Sequence, residues 1–469
     1  PTTAAMNFAK SDSDLPEEMD LISMNYQGEG IRYDPSYSHL SGITTYPLYP
    51  DFHSAFPDKV IMSSENAAAL STRGTYLFPV TEGWSSPVSN GIGGDDANQY
   101  VSSYELYTAD FGSSPDKVFA NMDQHQPYAA GGFVWSGWDY LGEPTPYYSS
   151  RSSYFGIIDL AGFKKDRFFL YQSRWRPELP MAHILPHWNW PDRVGQVTPV
   201  HVFTSGDEAE LFLNGNSLGR KQKQEYEYRL RWDSVVYTPG ELNVVAYKDG
   251  EEWAEDVVKT TGEPKKIVAF ASDSLILSDE NMLSFVTVRI ADSNGLTVPT
   301  AENFIRFTID GPGEIVATDN GDPTDMMPFS RHQRKAFNGL CLVIIRGKSG
   351  YPGTITLTAE SDMLESDTIT MENSCIPDTM EYTEPEWPYD PPVGINNMVM
   401  QRNFKLRQNY PNPFNTTTSI TYSLLENSFV SLKVSTLTGQ EISTLVNENK
   451  LTGTYSVQWD ASNLHARLY

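Results

Sequence analysis

Positive charge is scarce in this chain: 34 Lys and Arg stand against 60 Asp and Glu in 469 residues, a formal net charge of −26. An imbalance of that size repels phosphate backbones and anionic membrane surfaces, so nucleic acid and acidic lipid are excluded as expected partners. Cysteine is nearly absent. With only Cys341 and Cys375 present, a disulfide-stapled scaffold and a cysteine-based zinc site are both excluded, and pairing of the two is left open. No apolar run approaches the roughly 18 residues of a membrane-spanning helix. The histidines (His39, His53, His125, His183, His187, His201, His332 and His465) show no metal-like pairing, so no metal and no cofactor is expected, an assisting cation being left open. The chain also lacks an initiating Met and a signal peptide before Pro1 and reads as cut from a longer protein.

What is abundant is aromatic surface and turn chemistry. Aromatics make up 12% of the chain, with 10 Trp and 26 Tyr, and an acidic, Tyr- and Trp-rich protein suits sugars, whose C–H faces stack on rings while their hydroxyls meet carboxylates. A β-rich protein carries such a composition for structural reasons too. The length exceeds one core and predicts several domains. Residues 1–179 alternate short apolar runs with longer mixed segments, the pattern of βα units. PTTAAMN (1–7), LISMNYQ (21–27), KVIMSSEN (59–66) and GGFVWSGW (131–138) are read as four parallel strands. A helix is expected between Asn98 and Asp123, and FFLYQSRW (168–175) is read as a final helix.

Beyond Pro177 the pattern turns to strand alternation. EAELFLNGNSLGRK (208–221) predicts a hairpin on Asn214-Gly215 and PGELNVVAYKDGEE (239–252) another on Asp249-Gly250, because both dipeptides favour the positive φ of a two-residue turn. Residues 180–262 are expected to form one β-sandwich and 263–372 a second, immunoglobulin-like one. A Pro-rich stretch over 373–402 reads as a semi-stiff linker, and short strands over 403–469 as a small all-β module.

The chemistry-bearing feature is the end of KVIMSSEN. An apolar run delivering a single carboxylate, Glu65, at its carboxyl end is how a (β/α)8 barrel presents a catalytic group at its top face. A retaining glycosidase pairs such a nucleophile with an acid/base about 5 Å away. Asp139 and Glu143, after the last strand, fit better as ligands of sugar hydroxyls or as loop anchors than as the proton donor. Trp135, behind two glycines, reads either as a platform under a sugar ring or as a core plug. Tyr26, with Asn25 at the end of its own strand, reads either as a phenol bonded to the nucleophile or as a rim residue. HWNWP (187–191) is a possible glycan platform or, more simply, an interdomain plug.

SSENAAALSTRGTY (63–76), GGFVWSGWDYLGEPTPYY (131–148) and SSYFGIIDLAGFKKDRFFLYQSRW (152–175) resemble the carboxyl half of the catalytic barrel of glycoside hydrolase family 2, especially its β-galactosidases. The resemblance covers residues 1 to about 370. It implies the second half of a (β/α)8 barrel followed by two sandwiches, and a double displacement in which Glu65 attacks the anomeric carbon. It implies Tyr26 as the active-site tyrosine, Trp135 as the sugar-stacking tryptophan, and Asn25 and Asp139 as substrate-binding residues. The family's acid/base lies in an Asn-Glu pair before the position matched by Pro1, so the donor is expected to be absent from this chain and the chain inactive alone. Family β-glucuronidases hold the uronate with an Asn-x-Lys-Gly motif, and the matching Ser153-Tyr154-Phe155-Gly156 lacks the lysine, so a neutral hexose is favoured; the residues around GEPTPYY resemble galactosidases more than mannosidases, which implies terminal β-galactose. Another neutral β-hexoside (β-mannoside or β-glucoside) and a non-catalytic secreted carbohydrate-binding protein are the alternatives.

RQNYPNPFNTTTSITYSL (407–424), with LKVSTLTGQEISTLV and GTYSVQWDASNL, resembles the carboxyl-terminal sorting domain of type IX secretion. This implies the export machinery as a partner and a secreted or cell-surface location. Thr416 stands where the family usually has proline, and LHARLY replaces its usual ending.

Overall fold

The computed structural model describes residues 1–32, 45–277 and 282–374, and toward the carboxyl end 404–406, 409, 416–424, 427–435 and 441–461. The chain divides into two compact units, Pro1–Met380 and Glu381–Tyr469. His39, Cys375, His465 and the expected linker, apart from its first two residues, lie outside the described residues.

The first unit opens with a four-stranded parallel sheet in sequence order: β1 (Ala5–Met6), β2 (Leu21–Asn25), β3 (Val60–Ala67) and β4 (Ala129–Trp135). Helices follow the strands: α1 (Asp14–Glu18), α2 (Tyr49–Ala55), α3 (Pro115–Gln124) and α4 (Asp166–Trp175). This is the βα alternation expected from the sequence, and it supplies a half-barrel sheet. The first strand is shorter than PTTAAMN suggested. The helix expected between Asn98 and Asp123 forms only from Pro115, because Tyr100–Val101 and Tyr107–Thr108 are spent on short loop strands. Pro115 is pre-set for a first helical position, where its missing N–H costs nothing.

Packing explains the order. Ile22, Met24, Ile61 and Ala129 from the strands are buried against Tyr49 and Phe52 of α2, and each large apolar side chain so buried contributes roughly 1.5–3 kcal/mol. β1 and β4 are the edges of this sheet, each paired on one side. Apolar surface is correspondingly open there, with Phe133 on β4 64% exposed.

Two β-sandwiches complete the first unit. One sheet of the first holds Ala182–Leu185, Val200–Thr204 and Leu230–Trp232, and the other holds Glu208–Leu213, Asn216–Gln222, Glu241–Lys248 and Glu251–Lys259. Both anticipated hairpins are present, with φ of +50° and +78° at Asn214-Gly215 and +54° and +87° at Asp249-Gly250. The second sandwich packs a four-stranded sheet on a five-stranded one around Val286, Val288, Ile290, Val343, Ile345 and Leu357. HWNWP is the plug rather than the platform: Trp188 is fully buried and donates its indole N–H to the Thr238 carbonyl at 3.0 Å. The His187 ring stacks on Trp190, which meets Phe78 edge-on at 5.4 Å.

In the second unit, Phe404–Leu406, Thr417–Leu424 and Gly453–Asp460 form one sheet and Ser428–Ser435 pairs with Glu441–Lys450. Tyr422, Leu424 and Val446 form its small core. The protein is thus multidomain and mostly β. No helix among the described residues is long and apolar enough to cross a membrane.

Candidate active site

Three of the residues singled out from the sequence converge at the carboxyl ends of adjacent parallel strands. β2 and β3 run in register up to Asn25 opposite Glu65, with a register shift just before that pair. β4 ends with Trp135 opposite Ala67. The chain then leaves the sheet: Tyr26, Ala67 and Ala68 all have φ between +52° and +66°, a region a side chain enters only at some cost, least for small ones. This reversal lets the Tyr26 N–H donate to the Glu65 carbonyl at 2.8 Å.

The Tyr26 phenol lies beside the Glu65 carboxylate, close enough to feel its charge. Burial first, then the neighbouring Glu65 carboxylate, with smaller contributions from Tyr140 and Glu143, push the phenol far above its ordinary range, so it stays protonated. Its ring meets Phe111 edge-on at 5.0 Å. Glu65 itself is partly open to solvent, while Asn25 and Asn66 on either side are buried. Gly132 is needed behind it: a Cβ there would fall 2.5 Å from the Asn66 amide nitrogen and 2.9 Å from the Ser63 Cβ.

Trp135 is held from below. Its indole N–H donates to the Tyr140 hydroxyl at 3.0 Å, and that hydroxyl donates in turn to the Glu143 carboxylate. The rings of Trp135 and Tyr140 cross at 83°, leaving the indole half-buried at the mouth of the sheet. Tyr140 was not singled out in the sequence. The signal available was its place two residues beyond the exposed Trp138 in WSGWDYLGE, which does not say which ring turns inward.

Asp139 departs from its expected role as a substrate ligand and takes the loop-anchor role instead. It is 6% exposed, pairs with Lys165 Nζ at 2.7 Å and accepts the Gly156 N–H at 2.7 Å. Glu143, by contrast, is exposed. Three arginines of the first unit are committed to acids: Arg73 to Asp159, Arg167 to Glu105, Arg151 to Asp319. No group of three or more His, Cys, Asp or Glu that could hold a metal occurs among the described residues.

Comparison with known proteins shows what the chain is similar to. Residues 267–370 match the glycoside hydrolase family 2 C-terminal domain 5, and residues 195–254 match a domain of unknown function, DUF4982. Beta-galactosidase BoGH2A of Bacteroides ovatus is 36% identical over 368 residues, covering 78% of this chain and 40% of that protein. A putative beta-glucuronidase of Formosa agariphila is 36% identical over 214 residues, covering 44% of this chain and 20% of that protein. The crystal structure of a beta-glycosidase from Bacteroides vulgatus superposes with a TM-score of 0.64 at 29% identity, over 76% of this chain and 46% of the other. The chain therefore spans less than half the length of these relatives. The protein carries the carboxyl-terminal region of glycoside hydrolase family 2.

Proposed function

We propose that this chain is the carboxyl-terminal part of a retaining β-galactosidase, with Glu65 as nucleophile, Tyr26 as the phenol that orients it and Trp135 as the face on which the sugar ring stacks. The observation that carries the reading is the convergence of Tyr26, Glu65 and Trp135 at the ends of three neighbouring parallel strands, with the Tyr26 N–H bonded to the Glu65 carbonyl. A carboxylate fixed by a neutral donor is oriented for attack on an anomeric carbon, which it joins as the leaving oxygen departs with a proton. Water then releases the sugar from the same carboxylate. In this reading the acid/base lies in the part of the relatives' length that this chain does not span, the full-length polypeptide being one that includes it, and the 469-residue chain does not turn over substrate by itself.

A neutral sugar is favoured over a uronate by charge. Lys165 is 1% exposed and occupied by Asp139, the exposed Lys164 before it lies 4.3 Å from the centre of the Phe168 ring, and Phe155 is part of the core. A C6 carboxylate would meet the charges of Glu65 and Glu143, while Arg73, Arg151 and Arg167 are each paired with an acid. The relatives named as galactosidase and as glucuronidase leave the choice to this local chemistry. The second unit, on its sequence resemblance alone, is proposed as a type IX sorting module and the protein as secreted or surface-bound.

The test is covalent trapping. Incubating the full-length polypeptide with a 2-deoxy-2-fluoro-β-galactoside should leave a stable fluorogalactosyl mass on the peptide that contains Glu65. A label on another carboxylate, or none under turnover conditions, would overturn the assignment.

A further inference from the structure

Deepening the glycosidase reading, on which it rests, we propose that the second β-sandwich helps build the sugar site: Asp319 acts through Arg151 as a positioning residue for loop 139–152, and through that loop for Glu143, Tyr140 and Trp135.

Arg151 lies within the loop, yet its guanidinium leaves it. Nη2 meets Asp319 Oδ1 at 2.5 Å, and Nη2 and Nε donate to the Asp322 carbonyl at 3.1 and 3.2 Å. The Arg151 backbone N–H donates to the Pro323 carbonyl at 2.9 Å, and the guanidinium lies 5.1 Å from the centre of the Phe329 ring. Each of these partners belongs to the second sandwich.

The other side of Arg151 faces the site. Its carbonyl accepts the Gly142 N–H at 2.9 Å, Leu141 bridges Ser152, and Tyr140 and Ser153 exchange bonds at 2.8 Å (Ser153 N–H to the Tyr140 carbonyl) and 3.1 Å (Tyr140 N–H to Ser153 Oγ). Residues 140–142 are thus one strand of a short ladder whose other strand, 151–153, is fastened to the sandwich. Glu143 follows directly, with φ of +48°, and holds the Tyr140 hydroxyl that receives the Trp135 indole N–H.

The fastening is built to close tolerance. Both side chains of the Arg151–Asp319 pair are 9% exposed, so removing one strands a buried charge. The turn after Asp319 reaches the barrel through Gly321, at φ +76°, where a Cβ would fall 1.9 Å from Asp159 Oδ2. A second contact of the same sandwich is independent of the loop: Asn338 donates to the Arg73 carbonyl at 2.7 Å and to Thr75 Oγ1 at 3.2 Å.

The two contacts separate a relay from simple domain adhesion. In the 469-residue chain, hydrogen–deuterium exchange of peptides spanning 139–152 should speed up roughly tenfold or more in Asp319→Ala, and likewise in Arg151→Gln, through easier local opening. Asn338→Ala, which loosens the same interface elsewhere, should leave that loop within about twofold of the parent. Unchanged exchange in Asp319→Ala, or equal acceleration in Asn338→Ala, would overturn the relay. In the full-length polypeptide, Asp319→Ala should lower kcat/KM for nitrophenyl β-galactoside while Asn338→Ala does not. If no glycosidase activity exists at all, the functional reading fails while the exchange result still decides the relay.

Discussion

Tyr26 and Glu65 meet twice, by a backbone bond of 2.8 Å between neighbouring strand ends and by the phenol lying beside the carboxylate. The first bond is made by the fold and survives any substitution of the ring. Tyr26→Phe therefore removes the second alone. In the full-length polypeptide it should lower kcat by about 100-fold, the usual scale for one positioned proton-bearing group, with a smaller change in KM and little change in thermal midpoint. Steady-state kinetics beside a melting curve checks this, and an unchanged kcat would remove Tyr26 from the site.

Asp139 and Lys165 form a pair enclosed on all sides, in which burial pushes the carboxyl up and the ammonium down against their mutual attraction. Breaking such a pair from one side costs about 3–5 kcal/mol, whereas replacing both partners by apolar groups is far milder. Asp139→Asn and Lys165→Met should each lower the thermal midpoint markedly, and Asp139→Leu with Lys165→Met should recover much of the loss. Independent, additive effects in scanning calorimetry would show that the pair is not the anchor described.

His201 is fully buried, and burial holds its pKa down to about 3, with the Arg229 and Arg231 charges acting in the same direction and Asp233 opposing. In the unfolded chain it titrates near its ordinary value of about 6.5. Between those values the unfolded state binds more protons, so stability is full above about pH 6.5 and falls as pH drops toward 3, by at most about 1.4 kcal/mol per pH unit for this group. Denaturant unfolding at a series of pH values should show this slope, and His201→Gln should flatten it whatever it does to stability at neutral pH.

The neutral-sugar proposal is tested by substrate choice. Hydrolysis of nitrophenyl β-glucuronide by the full-length polypeptide should remain below roughly one hundredth of the rate on the β-galactoside, since an unpaired carboxylate beside two others costs several kcal/mol. Grafting the uronate motif as Ser153→Asn with Phe155→Lys should not reverse this. Phe155 is 2% exposed within the core beneath the site, so the lysine would be buried without a partner and the midpoint would fall. Efficient glucuronide turnover by the unmodified protein would overturn the neutral-sugar reading.

Much of the fold was legible because it rests on local rules. The four strands read as apolar runs, the Asn214-Gly215 and Asp249-Gly250 turns read as positive-φ dipeptides, and Glu65 stood out as a lone carboxylate at a strand end. The parts that were not legible depend on which side of a loop faces inward. Asp139 and Glu143 stand four residues apart in one loop, and nothing local distinguishes the buried anchor from the exposed carboxylate. Lys165 decides that, reaching back from the start of α4 to meet Asp139.

By itself the sequence determined the class of each segment, the polarity of the half-barrel sheet and the identity of the nucleophile candidate, because periodicity, turn chemistry and strand-end position are written within a few residues. Only the tertiary structure decided which groups touch: that Tyr26 bonds through its backbone N–H to Glu65, that Tyr140 and Glu143 hold Trp135, and that Arg151 ties their loop to Asp319, 168 residues away. Those contacts depend on the close packing of elements far apart in the chain, where a partner is chosen by the space left for it rather than by any local pattern.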